Sequence, residues 1–123
     1  MIKIAKRVVF NATHRTGETV QGRTWILDVH AKGDENVLAE FSLWILDKCE
    51  GALMVYEDDF EAMKIREVFS RQKFLRLPAL TSAKTLADYL MKTATGTFPN
   101  AQVFALTLSQ GDDPNVAVTI TLD

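Results

Sequence analysis

Residues 10–25 read FNATHRTGETVQGRTW, and this stretch decides the fold. Phe10, Ala12 and His14 stand two apart, so on a strand they share one face. Upstream, Ile2, Ile4 and Val8 continue that face with Lys6 alone interrupting it, while Lys3, Arg7 and Asn11 point the other way. This spacing predicts a half-buried strand over 2–12. The polar run 15–22, with Gly17 and Gly22, reads as a turn centred near residue 19. A second strand is expected over 24–32, with Trp25, Leu27, Val29 and Ala31 facing the core and Asp28 and His30 facing away. Gly33, Asp34, Glu35 and Asn36 end it.

Beyond the hairpin the period changes. Leu38, Phe41, Leu43, Trp44, Ile45 and Leu46 are too dense for an exposed strand and suit a buried helix over 37–51, stopped near Gly51. Residues 52–60 fit either a helical continuation or a short strand, because periodicity does not separate the two in a short apolar run. Residues 61–77 are charged with scattered apolar positions and read as a helical turn followed by a loop, broken at Pro78. From Thr81 a cleaner helix begins, capped by Thr81 or Ser82. Its apolar stripe is Ala83, Leu86, Ala87, Leu90, Met91 and Ala94, and Gly96 and Pro99 close it. Strands are expected over 102–109 and 116–122, joined by the turn Gly111, Asp112, Asp113, Pro114 and Asn115. Val116, Val118, Ile120 and Leu122 alternate. The order strand, strand, helix, helix, strand, strand points to an α+β fold. Two helices packed on one face of a four-stranded antiparallel sheet would bury the apolar faces of all six elements.

Composition sets the boundaries. The chain has 123 residues, 47% hydrophobic and 24% charged, which fits one globular domain over 1–123. A net charge of -2 and a pI of about 5.7 give no basic footprint for a nucleic acid. The small cluster Lys3, Lys6 and Arg7 reads as a solvated strand edge. The single cysteine, Cys49, excludes an internal disulfide. With no charged leader and no apolar run approaching the ~20 residues that span a bilayer, a cytoplasmic setting and no membrane partner are expected.

The motif F-x-A-x-H at Phe10, Ala12 and His14, followed by Gln21, Gly22, Arg23 and Trp25, resembles the first hairpin of the 6-pyruvoyl-tetrahydropterin synthase family, which includes the 6-carboxytetrahydropterin synthases. That family reads F-x-A-x-H and then H-G-H. Further along, Val37, Glu40 and Phe41 resemble its V-x-D-F segment. Leu80, Thr81, Ser82, Ala83, Lys84, Thr85, Leu86 and Ala87 are similar to its P-T-S/A-E-N-L-A helix start. Leu108, Ser109 and Gln110 resemble its V-x-E-T strand end. The resemblance implies the tunnelling fold, ββααββ, with the sheets of several subunits joined edge to edge into an oligomeric barrel. It also implies a homo-oligomer, a trimer or a hexamer built from trimers.

The family's three histidines hold a catalytic zinc, and its strand-end glutamate grips a pterin ring. Here His14 keeps the first histidine, while Gln21 and Arg23 stand in the places of the other two and Gln110 replaces the glutamate. A catalytic zinc needs about three protein ligands. A guanidinium cannot give up its proton to serve as one. No metal and no zinc cofactor are therefore expected. The family's catalytic Asp-His pair, counted from Glu40, falls on Asp58 and Asp59, which keep the acid without the histidine. Cys49 does not occupy the place of the family's nucleophilic cysteine. With the turn near residue 19, His14 lies opposite 23–24 and His30 opposite 7–8, on the order of 20 Å apart along the ribbon, so they share no metal within one chain.

Arg23 is expected on the core face beside Trp25, where it needs an anion. Two are open to it: an internal carboxylate at Asp58 or Asp59, or the carboxylate or phosphate of a ligand. The Glu57, Asp58, Asp59 run itself reads as a solvated turn. The candidate ligand site is His14, Arg23, Thr81, Ser82 and Gln110, open to a pterin- or purine-like molecule in a cleft between subunits. Three functions compete: a divergent family member without the zinc-dependent lyase, an active synthase with a rearranged site, and an oligomeric structural or regulatory scaffold.

Overall fold

The computed structural model describes residues 3–16, 19–62, 64, 71–111 and 113–122. The first hairpin is longer than its alternation suggested. Strand β1 runs Ile4–Thr16 and β2 runs Thr19–Ala31. They pair antiparallel with His14 opposite Gln21, Ala12 opposite Arg23 and Phe10 opposite Trp25. The expected turn over 15–22 is thus a correction: both strands continue through its polar residues, because backbone pairing and not hydrophobicity carries them past the core. The register is corrected with it, since His30 sits opposite Ala5. The two histidines remain far apart and on opposite faces. Ile2, Gly17 and Asp112 lie outside the described residues, as do the side chains of Pro114, Asn115 and Val116.

Helix α1 spans Glu35–Cys49 and starts earlier than the apolar pattern, because Asp34 accepts hydrogen bonds from the amides of Asn36 at 2.8 Å and Val37 at 3.4 Å. Its far end is held by Lys73, whose ammonium donates to the carbonyls of Asp47 at 2.7 Å and Glu50 at 2.8 Å. The run after it is a strand, β3, Leu53–Tyr56. A second short strand, β4, Phe74–Leu77, stands where a loop was expected. Four residues are too few to declare a period, and residues 63 and 65–70 of that segment lie outside the described residues. Helix α2 spans Ala83–Thr97, followed by β5, Val103–Gln110, and β6, Asp113–Thr121.

The sheet order is β4-β3-β1-β2-β5-β6. The expected four-stranded antiparallel sheet is present as β1, β2, β5 and β6, but β3 and β4 add to its edge in parallel, which makes the sheet six-stranded and mixed. Leu53, Met54 and Val55 are all buried, the pattern of a strand covered on both faces. Met54 joins the main core, and Leu53 and Val55 pack with Ala62 and Phe74 in a small second cluster.

One face of the sheet carries the main core. Val8, Phe10 and Ala12 of β1, Trp25, Leu27 and Val29 of β2, and Leu106 and Leu108 of β5 meet Leu38, Phe41 and Ile45 of α1 and Leu86, Leu90 and Met91 of α2. Trp25, Phe10 and Phe41 are fully buried. Cys49 belongs to this core, and burial pushes its thiol up to about 12. Among the described residues no helix is long and apolar enough to cross a membrane.

Candidate functional site

On the core-facing side of the hairpin the apolar rows stop at Phe10 and Trp25. Continuing two residues at a time, β1 supplies Ala12 and His14 and β2 supplies Arg23 and Gln21. Gln110 pairs with Trp25 from β5, so it shares this face and is a diagonal neighbour of Arg23. The indole of Trp25 closes the core beneath these groups. Its Nε1 donates to the Ala12 carbonyl at 3.3 Å, and its ring meets His14 edge to face at 6.1 Å between centroids.

The electrostatics follow from this crowding. Burial holds the His14 imidazole below its ordinary pKa, and the Arg23 guanidinium pushes in the same direction, while a hydrogen bond with Gln21 opposes them. The buried Nδ1 of His14 has no hydrogen-bond partner among the described residues. Arg23 donates from Nη2 to Oε1 of Gln21 at 2.6 Å. One imidazole, one amide and one guanidinium make a poor donor set for zinc. The field that disfavours imidazolium at His14 disfavours a divalent cation there too. Among the described residues no three His, Cys, Asp or Glu side chains gather closely enough to hold a metal.

The N-terminus of α2 reaches the same end of the hairpin. Ser82 caps the helix, accepting from the Thr85 amide at 3.1 Å. Thr81 is buried and donates to the Arg15 carbonyl at 2.6 Å, which ties it to the strand next to His14. Of the two capping candidates, Ser82 therefore takes the helix and Thr81 the hairpin.

Of the acidic run, Asp59 engages Arg15, an arginine the sequence reading did not single out. Arg15, only 8% exposed, meets Asp59 at 3.4 Å and Glu61 at 2.7 Å. Asp58 accepts from the Tyr56 hydroxyl at 3.1 Å. Sequence reasoning missed Arg15 because it lay inside the supposed turn. Once β1 is extended, its odd position places it on the outer face with Leu53 and Val55, where a guanidinium requires carboxylates. His30 lies apart from the site and packs against Phe104 at 6.2 Å.

No family model matches the chain, and no curated protein matches it. Solved structures do. The fold is that of the 6-pyruvoyl tetrahydropterin synthases. The Plasmodium falciparum enzyme matches over 97% of this chain and 96% of its own, at 13% identity and a TM-score of 0.62. The Plasmodium vivax enzyme matches over 98% of both chains at 11% identity and a TM-score of 0.61. An uncharacterized protein of Wolinella succinogenes matches over 99% of this chain and 98% of its own, at 14% identity and a TM-score of 0.68.

Proposed function

We propose that this protein is a divergent 6-pyruvoyl-tetrahydropterin-synthase-like protein that has lost the zinc-dependent lyase and binds a small planar heterocycle, pterin- or purine-like, in a cleft between subunits of a homo-oligomer. The observation that carries this reading is the placement of Arg23. It shares a sheet face with His14, and its charge adds to the effect of burial in depressing the imidazole's affinity for a proton. A group that repels a proton from His14 favours an anion beside it. The guanidinium can hold a carboxylate or phosphate through two parallel hydrogen bonds. Gln110, on the neighbouring strand, offers one donor and one acceptor, which suits a ring with a carbonyl beside an N–H. Thr81 and Ser82 bring the start of α2 to the same end of the hairpin. Among the described residues the outer strands β4 and β6 each have one unpaired edge, so self-association would complete the sheet as well as the cleft.

Native mass spectrometry and metal analysis on one gently purified sample test the reading, together with a lyase assay on dihydroneopterin triphosphate with added zinc. The expected result is an oligomer without zinc, a bound small molecule and no turnover. Stoichiometric zinc or zinc-dependent turnover would overturn it. An oligomer with an empty cleft that binds neither pterins nor purines would leave a scaffold in its place.

A further inference from the structure

The hairpin also has an outer face, away from the His14 row. There Asn11, Thr13, Gly22 and Thr24 floor a groove of about 580 Å3, walled by Leu53 and Gln72. Arg23 borders it as well, although strand alternation turns its guanidinium toward the other face.

Gly22 is the informative residue. In the interior of a strand, glycine loses the most backbone freedom on folding and gives no side chain to pack. Two other glycines of this chain have internal reasons. A Cβ on Gly33 would run into the Asn100 carbonyl, and Gly51 has a φ of 73°. Gly22 has neither reason. Its φ is not positive, and among the described residues a Cβ there would meet only Oγ1 of Thr13, at an ordinary 3.8 Å. A strand glycine without such a reason marks a bulge, a tight bend or a close approach by a ligand or another backbone, and the β1–β2 register has no shift at Gly22.

The groove's chemistry narrows what approaches. The Thr13 hydroxyl has no hydrogen-bond partner among the described residues. Gln72 directs Nε2 at the carbonyls of Gly51 at 3.0 Å and Lys73 at 2.9 Å, leaving its Oε1 to accept. Thr24 donates to Oδ1 of Asn11 at 2.7 Å, which leaves its own lone pairs available. The neighbouring carboxylate of Glu50 already accepts from the Asn11 backbone amide at 2.8 Å. The surface therefore presents acceptors, a hydroxyl and a bare stretch of strand, and its volume is that of a small-molecule site. We propose that this groove binds a small, uncharged, hydroxyl-bearing ligand lying against the Gly22 backbone, at a site separate from the His14 row.

The test is amide-resolved NMR of the full chain, titrated separately with methyl glucoside and with glycerol as neutral hydroxylated probes. Saturable shifts are expected at Thr13, Gly22 and Thr24 with at least one probe, while His14 and Gln110 stay unmoved. Gly22→Val should abolish the shifts and leave the unfolding midpoint unchanged or higher, because valine suits a strand better. Thr13→Val keeps the shape, removes the hydroxyl and should weaken binding several-fold. The proposal is overturned if neither probe gives saturable shifts or if both variants bind like the parent. It is equally overturned if Gly22→Val lowers the midpoint markedly, which would give that glycine an internal reason. None of these outcomes depends on the heterocycle proposed for the other face.

Discussion

The two ends of the first hairpin obey the same geometry and do opposite things. From Val8 to Ala12 on β1 and from Trp25 to Ala31 on β2, the inner face is apolar and buried under the helices. From His14 and across to Gln21 and Arg23, the same face of the same strands is polar and lies past the Trp25 ring. The pairing of the two strands runs through the boundary without a register shift. The packed end makes the polar end possible, because a rigid, fully hydrogen-bonded ladder can carry a guanidinium and an imidazole into close quarters that a loop would not maintain.

The sharpest way to break this contrast is to remove the boundary itself. Trp25→Ala deletes a fully buried indole and should destabilise the fold by about 3–5 kcal/mol in urea unfolding. A loss below about 1 kcal/mol would mean that the ring is not the floor of the polar end. A smaller effect is expected where α2 meets the hairpin. Ser82→Ala removes the helix cap and should cost about 1 kcal/mol. Thr81 would still hold the strand, so the chemical shifts of His14 should barely change. Large shifts at His14 in that variant would show that the cap, and not the Thr81 contact to Arg15, positions the end of the helix.

The smallest effect is electrostatic and is the most specific to the polar end. The folded state holds the His14 pKa below its value in the unfolded chain. The unfolded state therefore binds the extra proton first as pH falls. The contribution of neutral His14 to stability is fully present above about pH 6.5. It is lost as pH drops through the depressed folded value. Arg23→Gln removes the second cause of the depression, so the His14 titration midpoint seen by NMR should move upward. A downward move, or none, would separate Arg23 from His14 and remove the main support for an anion-binding site.

Much of this was legible in the residues, and the illegible part has a common cause. Wherever an element buries one face for long enough, its period identifies it. That holds for Val8, Phe10 and Ala12, for Trp25 to Ala31, and for the α2 stripe from Leu86 to Ala94. Three features escaped that signal. Strand β3 is buried on both faces, so its run of Leu53, Met54 and Val55 alternates with nothing. Strand β4 is too short to show a period. The distal half of the hairpin is held by backbone pairing, to which hydropathy is blind, so Arg15 and Gln21 fall in the expected turn over 15–22 although both lie on strands. The candidate site straddles that blind spot. The expected strands over 2–12 and 102–109 stop just short of His14 and Gln110, and the register that sets Gln21 against His14 had to come from the structure.

The position of Cys49 has a practical consequence. Only the thiolate attacks an alkylating reagent, and a thiol pushed up to about 12 and sealed in the core supplies almost none in the folded molecule. Modification must then wait for the last turn of α1 to lift away from the sheet. The pace of labelling under native conditions thus counts those openings, giving the molecule its own intrinsic clock for breathing without any introduced probe.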